Sequence, residues 1–275
     1  MTLRHKLAPA WLTGLRLCRA IKGAPSGARI IILHNTPKAD LPALENCVHM
    51  LRQSGTLAHP NEFDVIRRQP GTTYLMSFDD GFASNLVAAQ HLNKLGVSAL
   101  FFICPELVAL TGENQRKAMA NAFFGGRPPP NDCRLLTWDE IEEIKSLGHI
   151  IGAHGQTHAR LTTLADSELE HEIIGAGDSL CSRLGTEISW YAYSFGDIGS
   201  ISADAMSVIR TRYRYCRSGV RGINDTNVDA YALRGEEIRL DAPQNYQRLV
   251  LEGGLDAHYR RARETLDAMV KATLL

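Results

Sequence analysis

An α/β protein, with a parallel sheet and helices packed outside it, is predicted by three observations. Short apolar runs of strand length alternate with amphipathic helical patterns along most of the 275 residues. One such run, Tyr74-Leu75-Met76-Ser77-Phe78, ends in Asp79-Asp80-Gly81, and another, Ile150-Ile151-Gly152-Ala153, ends in His154 with His158 four residues on. Chemistry-bearing side chains at the carboxyl ends of strands are where parallel α/β folds build their sites. With 44% hydrophobic residues the chain can bury a sizeable core, and one domain is expected at this length.

Residues 1–28 form a basic segment, read as helical. It contains Arg4, Lys6, Arg16, Arg19 and Lys22, and no Asp or Glu precedes Asp40. Arg16 and Arg19 break the apolar stretch from Leu7 to Ile21, which argues against a signal-peptide core and against the ~20 apolar residues of a membrane span. Two readings stay open: peripheral contact of a basic amphipathic helix with an anionic membrane, and, more plainly, a helix capping the bottom of the fold with its charges solvated.

Ala28 to Leu33 is a strand rich in β-branched residues and ends in His34. Leu41 to Leu51 reads as a helix, and Gly55 to Pro70 as a loop or short helix. Ser84 to Leu95 has apolar residues at 86, 89, 92 and 95 and a glycine stop at Gly96; Ser98 to Cys104 is the next buried strand. Residues 105 to 134 make a long connection, with a helix over Asn114 to Phe124, that could wall a groove. Thr137-Trp138-Asp139-Glu140 is a capping box opening a helix whose buried face is Ile141, Ile144 and Leu147. Ser167 to Leu184 is a further helix stopped by Gly185, and Trp190 to Phe195 a further strand. Ser202 to Arg210 is a short helix and Tyr213 to Ser218 a strand; from Gln244 onward the pattern is helical, ending in a terminal packing helix.

Neighbouring side chains on an extended segment point opposite ways, so Asp79 and Asp80 are expected in different environments with different roles. The plainer alternative is a turn made by Asp-Asp-Gly. His154 and His158 can face one point, and two imidazoles with one carboxylate would leave positions open on a metal. Thirty Lys+Arg balance thirty Asp+Glu, so no net field favours nucleic acid. The six cysteines, at 18, 47, 104, 133, 181 and 216, form no C-x-x-C pair and are read as free thiols of a reducing compartment.

Taken together, Ser77-Phe78-Asp79-Asp80-Gly81 and His154-Gly155-Gln156-Thr157-His158 resemble the first two motifs of NodB-type polysaccharide deacetylases, carbohydrate esterase family four. Trp190-Tyr191-Ala192-Tyr193-Ser194-Phe195-Gly196 is similar to the third motif and Ile32-Leu33-His34 to the family's early Y-H, so the resemblance spans residues 30 to 242. It implies an irregular, incompletely closed (β/α) barrel over 29–275 with a C-terminal packing helix. It also implies that Asp80, His154 and His158 hold a divalent metal, zinc first among them, and that Asp79 is the base. Tyr193 would lend its main-chain N–H to an oxyanion and Tyr191 would share the substrate wall, with Trp190 in the core. Ser194 replaces the usual proline and is expected to loosen that loop. The family's late L-x-H histidine has no counterpart between His171 and His258, so the candidate acid is His34 if the first strand brings it within reach, and otherwise a metal-bound water or protonated Asp79. Arg239, in a segment similar to L-P-R-I, would hold a carboxylate. The implied function is metal-dependent removal of an N-acetyl group from an amino sugar in a bacterial surface polysaccharide, or in its lipid- or nucleotide-linked precursor. The free thiols and the interrupted apolar stretch, not the resemblance, point to the cytoplasm, with the inner face of the membrane left open. Two other readings are a catalytically reduced barrel serving as a glycan-binding or assembly protein, and a hydrolase of a non-sugar amide.

Overall fold

The computed structural model describes residues 3–274. Its strands are β1 (Gly27–Leu33), β2 (Thr56–Leu57), β3 (Thr72–Phe78), β4 (Ala99–Ile103), β5 (Ile150–Ala153), β6 (Trp190–Ala192), β7 (Tyr215–Arg217) and β8 (Gly235–Glu237). They pair in parallel in the order β7-β6-β5-β4-β3-β1-β8, with β2 beside the first half of β3. The sheet curls until β7 and β8 approach across a seam that the irregular stretch before β8 partly fills. There the Ser218 N–H donates to the Leu233 carbonyl at 2.8 Å and the Leu233 N–H to that of Cys216 at 3.1 Å. The result is the expected barrel, nearly closed, with one unsealed seam.

The helices are α1 (Leu3–Lys22), α2 (Leu41–Ser54), α3 (Phe63–Ile66), α4 (Ser84–Lys94), α5 (Pro105–Ala109), α6 (Gly112–Phe123), α7 (Trp138–Ser146), α8 (Asp166–Glu170), α9 (Ala176–Leu184), α10 (Ala203–Arg212), α11 (Gln244–Leu251) and α12 (Arg260–Ala272). Thr137 and Glu140 make the predicted capping box at α7. The helix read as continuous over 167–184 is interrupted by a π turn at His171–Gly175.

Strand parity decides what reaches the barrel mouth. Ile30, Leu75, Leu100, Phe102, Trp190 and Tyr215 belong to the cluster that fills the barrel interior. Residues of the opposite parity, among them Ile31, Met76, Phe101 and Tyr191, join the larger cluster under the helices. The register sets Ile30 beside Leu75, Leu100 beside Ile150, and Trp190 beside Tyr215. Carrying the inward phase forward in steps of two reaches His34, Asp79, His154 and Arg217 at the carboxyl end.

The far end of the barrel is plugged by Phe63 and Ile66 of α3, the Phe63 ring standing edge-on to Trp190 and Tyr215 at 5.2 and 5.4 Å. That is the capping place which sequence reading gave to the N-terminal helix. Helix α1 instead lies along α11, with Ala8 and Leu12 packed on Leu249 and Arg16 paired with Glu252 at 2.5 Å.

Candidate active site

Asp79 follows the last residue of β3 in the inward phase, and the Arg217 guanidinium holds it, one terminal nitrogen lying 2.6 Å from each carboxylate oxygen. Both groups are buried, and Arg217 lies over the Phe102 ring at 4.9 Å. On parity alone Asp80 would point away. Its backbone, however, turns into the left-handed region at φ 75°, which swings its carboxylate into the same cleft. The two acids therefore share one cavity and differ in their partners, a correction to the expectation of separate environments. Asp80 Oδ1 lies 3.4 Å from His154 Nε2 and 3.5 Å from His158 Nε2.

The histidines are set by the backbone around them. His154 Nδ1 lies 2.7 Å from the Ala192 carbonyl, a contact that fits an N–H donor there and leaves Nε2 facing Asp80. His158 takes φ 63°, and its ring packs between Phe123 of α6 and Phe195, each at 4.8 Å. The buried carboxylate of Glu172, in the π turn, accepts the N–H groups of Thr157 and Ala159, both at 3.0 Å, and so pins the loop between the histidines. A side chain at Gly155, where φ is 80°, would run into that carboxylate.

Asp80, His154 and His158 can each offer one atom, all within 4.8 Å of one another and all buried. One carboxylate and two imidazoles suit zinc and its divalent neighbours. The Ala192 contact adds the outer-shell partner that metal-ligating histidines usually have, so the residues present fit a divalent ion.

The cleft, of about 450 Å³, is lined by Asp79, Asp80, His34, His154, His158 and Tyr193, with Phe195, Arg217 and Glu237 also on its walls. Tyr191 is not at this site: its parity points it outward, and its ring is fully buried against Tyr213 at 4.8 Å. Arg239 does not reach it either, since its side chain is 75% exposed and paired with Asp241 at 2.7 Å. The carboxylate-holding role expected of Arg239 falls to Arg217, which sequence reading placed in a strand without a function. The usable signal was position, a cation ending a short strand at the level where other strands end in Asp and His. Ser194 ties rather than loosens its loop, its hydroxyl donating to the His154 carbonyl at 3.2 Å. Tyr193 likewise braces the turn after it, donating its hydroxyl to the Gly196 carbonyl at 3.1 Å.

Protonation divides the two imidazoles. Burial pushes His158 down to about 4, with the nearby His154 adding to the shift. Burial also acts to lower His154, but its hydrogen bond to Asp80 and the charges of Asp79 and Asp80 outweigh this and raise it. Asp80 is held low against its burial by the His154 contact and by the charges of His34 and His158. The unfolded chain binds a proton at position 158 below pH 6.5, and the folded chain only below about 4. The stability from a neutral His158 is thus complete above 6.5 and drains away as pH falls towards 4, by up to ~3 kcal/mol. His154 works in the opposite sense, its contribution being lost as pH rises through its raised value. Urea unfolding of ion-free protein at pH 7.5 and 5 is expected to show a smaller loss at pH 5 in His158→Gln than in the wild type. Identical losses would contradict the assignment.

A parallel barrel with an Asp-His-His donor set beside a second, arginine-held carboxylate is a frame suited to hydrolysis. A family model described as polysaccharide deacetylase matches residues 67–213, more than half of the chain, and the protein belongs to that family. Among solved structures it is similar to a Streptococcus pyogenes deacetylase, PplD, in complex with acetate, at 16% identity and TM-score 0.64 over 81% of this chain and 97% of that one. IcaB from Ammonifex degensii is similar at 18% identity and TM-score 0.61 over 82% and 97%. A de-N-acetylase from Aggregatibacter actinomycetemcomitans is similar at 14% identity and TM-score 0.65 over 82% and 100%. At these identities the likeness is one of fold. A search among curated proteins finds no match.

Proposed function

We propose that the protein is a metal-dependent N-deacetylase that removes the acetyl group from an N-acetylated amino sugar, in a bacterial surface polysaccharide or in its lipid- or nucleotide-linked precursor. The observation that carries this reading is the placing of Asp79, fixed by Arg217, beside the buried Asp80-His154-His158 donor set in one open cleft. A divalent ion held by those three side chains would supply Lewis acidity, acidifying a water and polarising the acyl oxygen. Asp79 takes the proton of the attacking water, and Arg217 keeps its carboxylate aimed into the cleft. The main-chain N–H of Tyr193 is the donor assigned to the developing oxyanion. His34 replaces the absent late histidine and hands a proton to the departing amine, leaving acetate and the free amino sugar. Its place on the cleft wall supports hydrolysis over a barrel that only binds glycan.

Acetate release from a panel of N-acetylhexosamine oligomers and lipid- or nucleotide-linked monosaccharides tests the reading. Release by the wild type is expected to require a divalent ion, to vanish in His154→Ala, and to fall by at least about tenfold in His34→Asn. Undiminished release by His154→Ala would remove it.

A further inference from the structure

Helix α1 carries an apolar face that nothing among the described residues covers. Leu3, Leu7, Trp11, Leu17 and Ile21 are all exposed, Trp11 at 48% and Ile21 at 86%. At the pitch of an α-helix they fall in one sector about 120° wide, together with Ala10, Gly14 and Cys18. The opposite side is already used. Ala8 and Leu12 pack on Leu249, His5 lies on the Tyr246 ring at 4.8 Å, and Arg16 and Arg19 both bind Glu252. The apolar stripe is therefore the outer face of a helix whose inner face anchors it to the barrel.

Charge identifies what the stripe meets. Arg4 and Lys6 are exposed and flank the sector on either side, and the helix contains no Asp or Glu. Two copies pairing through this face would bring only basic residues together along its edges. Phosphate headgroups supply the missing countercharge, and Trp and Leu suit the boundary below them. We propose that the outer face of α1 docks the protein on the surface of an anionic bilayer. The helix lies in the interface without crossing it; among the described residues no helix is long and apolar enough to span a membrane.

The contacts of α1 also fix the orientation. Its first turn touches Tyr246, near the start of α11, whose Gln247 binds the Leu240 carbonyl just beyond the cleft residue Glu237. Its last turns reach Glu252, next to Leu251, whose carbonyl accepts from Tyr74 low in β3. The helix thus runs down the flank of the barrel from mouth to base. Laid flat on a bilayer, it turns the cleft sideways along the surface, within reach of a sugar tethered there. Only this last consequence rests on the deacetylase reading; docking does not.

Co-sedimentation of the full chain with phosphatidylcholine vesicles, plain or carrying roughly a third phosphatidylglycerol, tests the proposal. At least about tenfold stronger partitioning onto the anionic vesicles is expected, and a comparable loss in Leu7→Glu/Leu17→Glu. Acetate release from a soluble substrate and the melting temperature, both unchanged in that variant, would show that the barrel is intact. Equal binding to both vesicle types, or no binding by a wild type that elutes as a dimer which the double substitution dissociates, would overturn it. The second result would assign the face to another copy of the chain.

Discussion

Asp79→Asn is expected to lower acetate release by about 10³-fold while leaving the divalent-ion content at the wild-type level. The amide keeps the shape of the side chain but cannot take a proton from water. The Asp80-His154-His158 donors, which the substitution does not touch, remain assembled. The change also strands a cation. Arg217 is buried, its Nε has no hydrogen-bond partner, and Asp79 is its ion-pair partner. Removing one member of a buried pair typically costs about 3–5 kcal/mol, so a lower melting temperature should accompany the loss of activity. Acetate assay, elemental analysis and thermal unfolding on one preparation separate these effects. Near-normal turnover would show that Asp79 is not the base, and loss of the ion would place it among the ligands.

Asp80→Ala is expected to have the converse signature, with bound divalent ion falling to background and activity lost along with it. The oxygen removed lies between two imidazole nitrogens, 3.4 and 3.5 Å away, and the remaining pair makes a poor site. The left-handed backbone at position 80 stays strained in this variant, because alanine keeps a Cβ and tolerates a positive φ no better than aspartate. The ion-free variant should therefore show no gain in melting temperature from backbone relief. Elemental analysis after dialysis, with competition by a coloured chelator, measures the first effect. Wild-type ion content in the variant would rule out this ligand set.

Much of this was legible in the chain because strands have a period of two. The runs ending at Phe78 and Ala153 placed Asp79 and His154 at the same end of a parallel sheet, and the register puts them there. Parity misled at Asp80, where one positive φ reverses the direction of the side chain, a conformation that the letters Asp-Asp-Gly permit without requiring. Arg217 escaped notice because Tyr213 to Ser218 holds two tyrosines and two arginines whose phase is fixed only once Tyr215 is known to face inward. Arg239 drew attention through local resemblance, yet it follows the end of β8 and finds its partner two residues on. Phe123 comes from a helix within a long connection, and Glu172 from a π turn; neither spacing carries a sign that it will meet the histidines. Such contacts arise from packing between segments distant in sequence, which periodicity does not encode.

Among the described residues, three other than glycine hold left-handed backbone, Asp80, His158 and Phe195, and all three stand on the cleft. Each imposes a strain of ~1 kcal/mol or more, which the rest of the barrel must absorb. Evolution can relax that tension only by giving up the chemistry, since glycine at any of them would relieve the backbone and delete a ligand or a wall. A descendant freed from hydrolysis would accordingly drift towards a sturdier, silent barrel, and its first changes would appear at these three positions.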